Sequence, residues 1–307
     1  MGVSEPPFDV SSELGELYPF TPKRVEVGGH TLSYLDEGPR DAPALVFVHG
    51  NPTWSFYYRE LILGLRDRYR CVAVDHLGAG LSDKPQGYDY TLANHVANLG
   101  AVIEHAGLES LTLVVHDWGG AIGMGWATQH PERVERCVVF NTAAFRSERI
   151  PPSINICRIP LLGDLMIRGF NGFARVALVR AAKRPLPKPV KRGYLLPYGS
   201  WRDRVGHLRF VQDIPMHEGI PSWGPIGEIG DRLHLLREKP FLICWGGEDF
   251  CFNDSFLDEW RARFPEAEVH RFADAGHYVV EDAGPRILEL INGFLARTSL
   301  AGVEPGR

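Results

Sequence analysis

The chain has 307 residues, 44% of them hydrophobic, and a formal net charge of −5. That length and apolar content suit one large α/β domain carrying an insertion. The weakly acidic balance leaves no electrostatic footprint for nucleic acid, and no run approaches the roughly 18 uninterrupted apolar residues of a membrane-spanning helix.

In chain order, the opening MGVSEPPFDVSSELGELYPF has neither the basic start nor the continuous apolar core of a signal peptide. Pro6 stands where a myristoylation signal wants Ser or Thr, so a cytoplasmic protein is expected. Apolar, β-rich runs then recur: His30 to Asp36, Ala44 to Val48, Arg70 to Val74, Thr112 to Val115 and Cys137 to Phe140. Helix-like segments lie between the later ones. Alternating β and α with continuously apolar strands implies an α/β fold, with a mostly parallel central sheet covered by helices on both faces.

From residue 142 to 236 the strand rhythm stops. Basic amphipathic stretches replace it, such as LLGDLMIRGFNGFARVALVRAAKR, followed by the proline-rich PLPKPVK. An inserted helical cap over 142–236 is expected, splitting a core made of 1–141 and 237–307. Strands resume at Phe241 to Trp245 and Ala267 to Phe272, and a closing helix is expected from about Pro285 to Ala296. Five cysteines lie singly, without C-x-x-C spacing; Cys71, Cys137 and Cys244 fall inside strand-like runs and read as small buried hydrophobes. The twelve histidines show no H-E-x-x-H spacing, and neither a metal nor an organic cofactor is expected.

Ligands of parallel sheets bind beyond the carboxyl ends of the strands, so the polar residues just after each strand matter most. The stretch VVHDWGGAIG, Val114 to Gly123, has the layout of a hydrolase nucleophile turn with an aspartate, Asp117, in the nucleophile's place. Gly119, Gly120 and Gly123 permit the sharp bend and close helix–sheet approach. Asp at a helix start is also a good N-cap, contributing about 1 kcal/mol. What tips the balance toward chemistry is the chain order nucleophile, acid, base: Asp249 follows one late strand and His277 the next.

In this reading the Asp117 carboxylate attacks carbon, and His277, oriented by Asp249, acts as base. The backbone N–H groups of Trp118 and Asn51 form an oxyanion hole, in a loop shaped by His49, Gly50 and Pro52. The Asn51 amide and Trp118 indole N–H are donors for a departing anion; their ordinary readings are a turn former and a core tryptophan. A carboxylate nucleophile suits displacement at saturated carbon, so the leaving group is a halide, an epoxide oxygen or the carboxylate of a strained lactone. Epoxide opening requires acidic hydroxyls in the cap, for which Tyr194 and Tyr198 are the candidates.

HGNPTW, DHLGAGLSDKP, HDWGG, WGGEDF and DAGHYVVED together resemble the haloalkane dehalogenase family, over nearly the whole chain. That resemblance implies an α/β-hydrolase fold with a helical cap, Asp117 as nucleophile, His277 as base and Asn51 with Trp118 as the halide pair. Asp249 matches lineages whose acid follows the penultimate core strand; others carry a glutamate where this chain has Asn141. YPFTPKR, SYLDEGP, VFNTAAF, FNGF, PYGSW and RFVQDIP are similar, more narrowly, to the β-lactone decarboxylases of bacterial long-chain olefin biosynthesis. This similarity implies a cis-β-lactone with two long alkyl chains as substrate, a cis-alkene and CO2 as products, and assembly with sister biosynthetic enzymes or with itself. The apolar faces of LLGDLMIRGF and FARVALV would receive alkyl chains, while Arg168, Arg175, Arg180, Lys183 and Arg184 face water or a partner. Hydrolytic dehalogenation, epoxide hydrolysis and a non-catalytic ligand-binding role stand as alternatives.

Overall fold

A computed structural model describes residues 10–298. Residues 1–9, on which the signal and lipidation readings mainly bear, lie outside the described residues. The strands are β1 (Lys23–Val27), β2 (His30–Glu37), β3 (Ala44–Val48), β4 (Arg70–Val74), β5 (Leu111–Asp117), β6 (Val134–Thr142), β7 (Phe241–Gly246) and β8 (Glu268–Phe272). They form one sheet in the order β1-β2-β4-β3-β5-β6-β7-β8. β1 and β2 pair antiparallel, β2 joins β4 antiparallel, and every later pairing is parallel.

The helices are α1 (Val10–Leu14), α2 (Arg59–Leu65), α3 (Leu92–His105), α4 (Trp118–Ala127), α5 (Pro152–Asn155), α6 (Gly172–Arg180), α7 (Lys188–Leu195), α8 (Val205–Gln212), α9 (Trp223–Arg232), α10 (Asp254–Arg263) and α11 (Val279–Arg297). Alternate residues of a strand point to opposite faces, and both faces of the central strands are apolar. On one face Leu45, Phe47, Ala73, Val114 and Phe140 pack with Leu61 of α2 and with Ile287 and Ile291 of α11. On the other, Val46, Val48, Val72, Leu113 and Val139 pack with Leu99 and Val102 of α3, Ile122 of α4 and Trp260 of α10. Each such fully buried side chain contributes about 1.5–3 kcal/mol, so the double covering is what makes these strands uninterruptedly apolar.

β1 was not anticipated. Its sequence KRVEV is three-fifths charged and half-exposed, as an edge strand that pairs on one side should be. Charge also anchors this edge: Arg70 meets Asp36 through Nε at 2.8 Å and Nη2 at 3.1 Å, and Lys23 Nζ reaches the same carboxylate at 2.8 Å. Cys71, Cys137 and Cys244 are buried.

The run 161–184 is not one helix. A π-helical turn, Asp164–Gly169, is followed by Asn171 in the left-handed region at φ 53°, and only then by α6. α9 closes the segment read as a cap, yet its Ile226 and Ile229 bury in the same cluster as α3 and α4. The closing helix begins at Val279, ahead of Pro285. Non-helical angles at Ala283 (φ −130°, ψ 18°) set the first turn apart, and Pro285, which donates no N–H, follows this break.

Candidate active site

All five anticipated residues sit at the carboxyl edge of the parallel sheet: Asn51 after β3, Asp117 at the end of β5, Trp118 opening α4, Asp249 after β7 and His277 after β8. Asp117 adopts φ 53°, ψ −129°, a conformation costing of order 1–3 kcal/mol that the surroundings must enforce. They do so by close approach. A Cβ on Gly119 would lie 1.9 Å from the carbonyl oxygen of Val48, and one on Gly50 would lie 2.1 Å from Oδ1 of Asp117. The Thr142 hydroxyl donates to the Asp117 carbonyl, tying the bend to β6.

The Asp117 side chain makes no N-capping bond to its own helix. Oδ1 accepts the Asn51 backbone N–H at 2.6 Å, and the neighbouring Trp118 backbone N–H pulls the carboxyl's pKa down. Oδ2 stands 3.6 Å from His277 Nε2. Burial pushes the Asp117 carboxyl above its ordinary value, an upward push that outweighs His277 and the two backbone donors.

His277 donates from Nδ1 to Asp249 Oδ2 at 2.8 Å, and the other Asp249 oxygen accepts the Cys251 backbone N–H at 2.6 Å. Phe252 stacks on the imidazole with ring centres 5.8 Å apart. Burial alone would lower the His277 pKa, but Asp249, with help from Asp117, raises it above the ordinary histidine value. Asn141 is not part of this chain of contacts. Its amide bridges β6 to β7, donating to the Gly246 carbonyl at 2.9 Å and accepting the Gly246 N–H at 2.7 Å.

Two supporting side chains, His116 and Asp282, lay inside motifs read in the sequence without being assigned a role, and a third, His49, shapes the Asn51 loop as expected. His116 bonds through Nε2 to the His277 carbonyl at 2.9 Å and stacks on Tyr57 at 4.4 Å. His49 donates from Nδ1 to the Gly50 carbonyl at 2.7 Å and accepts the His76 N–H on Nε2 at 3.1 Å, which fixes the Asn51 loop. Burial first, and neighbouring His76 second, keep His49 neutral, as its accepting nitrogen requires. Asp282 accepts the backbone N–H groups of Lys183, Arg184 and Gly276 at 2.9–3.0 Å, while the Tyr278 N–H donates to the Ala181 carbonyl at 2.8 Å. The loop bearing His277 is thereby tied to residues 181–184.

Asn51, Asp117, Trp118 and His277 form the polar end of a cavity of about 350 Å³. Its other walls include Phe145, Met166, Phe173, Val211, Phe250 and Phe252, so an apolar substrate is the natural occupant. One Asn51 amide N–H donates to the His207 carbonyl at 3.1 Å, which holds the side chain in place. Neither Tyr194 nor Tyr198 lines the cavity. The Tyr194 hydroxyl donates to Glu281, and that of Tyr198 accepts the Gly80 N–H at 2.9 Å and points to the Thr53 carbonyl at 3.3 Å. Both hydroxyls are engaged in these bonds, so neither tyrosine stands where an epoxide route would need its donor. Arg168, expected to face water or a partner, is half-buried, donating to Gln86 and lying over the Trp201 ring at 4.6 Å.

Residues 43–156 match the family model described as the alpha/beta hydrolase fold. A cis-3-alkyl-4-alkyloxetan-2-one decarboxylase of Shewanella oneidensis is 44% identical over 298 residues, spanning 95% of this chain and 93% of that protein. Haloalkane dehalogenase 2 of Mycobacterium bovis is 30% identical over 90% of this chain and 95% of its own length. Among solved structures, a haloalkane dehalogenase from Agrobacterium tumefaciens superposes with a TM-score of 0.82 at 25% identity, covering 94% of this chain and 99% of that one. With the carboxylate, imidazole and second carboxylate gathered on this fold, the chain belongs to the α/β-hydrolase-fold family that unites the cis-3-alkyl-4-alkyloxetan-2-one decarboxylases with the haloalkane dehalogenases.

Proposed function

We propose that this chain decarboxylates a cis-3,4-dialkyl β-lactone to a cis-alkene and CO2. The observation that carries the reading is the Asp117 carboxylate, held by the Asn51 backbone N–H at the floor of an apolar cavity, in a chain 44% identical to a named decarboxylase of that lactone class. Asp117 is the nucleophile, Asp249 orients His277, and Asn51 and Trp118 stabilise the departing anion.

An oxygen of Asp117 bonds to the saturated ring carbon that carries the lactone oxygen. The carbon–oxygen bond breaks, and the leaving group is the substrate's own carboxylate, which the Asn51 and Trp118 donors receive. Entry opposite the departing oxygen leaves the new ester antiperiplanar to that carboxylate. The carboxylate carbon–carbon bond then breaks, its electron pair forms the double bond, and the Asp117 carboxylate is expelled unchanged. Both alkyl groups end on one side, as in the cis lactone. No water is consumed.

His277 supports a second reading. Its Nε2 is placed beside the carboxylate, where a base that activates water against an alkyl ester belongs. With a haloalkane the same attack releases halide, and water then completes dehalogenation to an alcohol. The two readings separate in one experiment: wild type and Asp117→Ala with a synthetic dialkyl cis-β-lactone and, in parallel, a bromoalkane panel. Alkene detected by gas chromatography with wild type alone supports decarboxylation. Halide release without alkene replaces it with dehalogenation.

We also read 142–236 as a cap in sequence terms, with the packing of α9 on α3 and α4 favouring a changeover to the core near Trp223. Five free cysteines suit a reducing cytoplasm. No described helix is long and apolar enough to cross a membrane. Assembly with further olefin-forming enzymes, or with a second copy, is a proposal carried by the family resemblance, and size exclusion with light scattering tests it.

A further inference from the structure

The segment from Cys157 to Arg192 carries nine basic side chains against one acid, Asp164, in a chain whose net charge is −5. It also exposes apolar surface. Leu161 is 84% exposed, Val179 72% and Phe170 68%, with Ile159 and Leu165 half in solvent beside them. Isolated exposed hydrophobics are ordinary, but a run of them on adjoining elements marks an interaction site.

Three features give this surface a direction. On α6 the residues Arg175, Val176, Val179 and Arg180 share the outward face at i, i+1, i+4 and i+5, while Ala174, Ala177 and Leu178 are buried. Val176 and Ile156 are exposed and also line the cavity that ends on Asp117, so the apolar surface meets the mouth of the site. Leu161, third, is held at φ 66°, a strained conformation for a branched side chain, and presents that side chain to solvent instead of the core. Arg158 and Arg175 have no ion-pair partner among the described residues, and Arg158 lines a second groove that shares Ile156 with the cavity.

We infer that this face docks on an anionic lipid bilayer, with Leu161, Phe170 and Val179 inserted at the headgroup boundary and Arg158 and Arg175 against lipid phosphates. Apolar side chains interleaved with arginines, on short helices and the turns that join them, suit a surface-lying element that does not span. The placement also answers a delivery problem. At about 350 Å³ the cavity lies at the low end of the 300–1,000 Å³ range of ligand pockets, too small to enclose two long alkyl chains. Tails emerging past Ile156 and Val176 would enter the lipid phase. That last point rests on the lactone reading above; the surface itself does not.

The test uses the full chain and needs no turnover, so its failure is distinct from failure of the decarboxylase reading. Flotation with vesicles of phosphatidylglycerol and phosphatidylcholine is compared with phosphatidylcholine alone. Wild type is expected to float with the anionic vesicles and to release as salt rises. The Leu161→Asp, Phe170→Asp, Val179→Asp variant and the Arg158→Glu, Arg175→Glu variant are each expected to bind at least tenfold less, with unchanged thermal melting. Wild type that ignores anionic vesicles, or variants that bind as wild type does, overturns the inference. So does a lipid-free oligomer, seen by light scattering, that the same substitutions dissolve, because the face would then cover protein.

Discussion

His277 Nε2 stands 3.6 Å from Oδ2 of Asp117, while its Nδ1–H is committed to Asp249 at 2.8 Å. Both groups are shifted upward, Asp117 because burial outweighs its donors and His277 because the two carboxylates outweigh burial. A protonated Asp117 cannot attack carbon. Alkene formation should therefore fall on the acid side at a pH above the ordinary carboxylate range. Water activation needs neutral imidazole, so halide-releasing turnover should rise only above the ordinary histidine range. The folded-state pKa of His277 is raised, so its contribution to stability is full below the unfolded value and fades as pH climbs through the folded one. A pH profile of kcat for each substrate class checks this; coincident profiles would contradict the assigned roles.

Replacing Trp118 by Phe keeps an aromatic wall and removes the indole donor. If that N–H receives the departing anion, kcat/KM should fall about 10²-fold, the usual effect of deleting one such donor, with thermal melting within a few degrees of wild type. An unchanged rate would return Trp118 to a packing role.

Asp282→Asn keeps the shape of the side chain but turns one acceptor toward the N–H groups of Lys183, Arg184 and Gly276 into a donor. Bonds to charged acceptors are worth about 1.5–3 kcal/mol, so unfolding in urea should come earlier by about 2 kcal/mol or more. Because Gly276 precedes His277, kcat should drop well below the melting transition as well. A variant that is less stable yet fully active would confine Asp282 to architecture.

Asp36 offers a pH test away from the site. Burial pushes its carboxyl up, but Arg70 and Lys23 prevail and hold it at about 2, against an ordinary 3.8. A depressed folded-state value stabilises above the unfolded pKa and is lost as pH falls through the folded one, so the window is about 4 to 2. Asp36→Asn should lower stability at neutral pH by about 3 kcal/mol, since it leaves Arg70 buried without its partner. Denaturant midpoints of the two proteins should converge as pH approaches 2.

The parts legible from sequence alone are those set by short-range pattern. β3 and β4 were readable to the residue because strands covered on both faces must be apolar throughout. Asp117, Asp249 and His277 were readable because the fold presents them in a fixed chain order at strand ends. β1 was not, since an edge strand with one half-wet face carries charge that looks like loop. His116 and Asp282 were visible in their motifs but mute. The partner of His116 lies 161 residues away and two of the three partners of Asp282 lie 98–99 away, and only the folded chain brings these groups within hydrogen-bond reach.

The clasp at Asp282 has a mechanical consequence. Residues 181–184 cannot swing outward without dragging the imidazole off its carboxylate, because one side chain grips both. Whatever breathing admits a bulky guest must therefore come from wall residues outside that clasp, such as Ile154, Ile156 and Met166. An enzyme hinged this way stays armed while its door stands open.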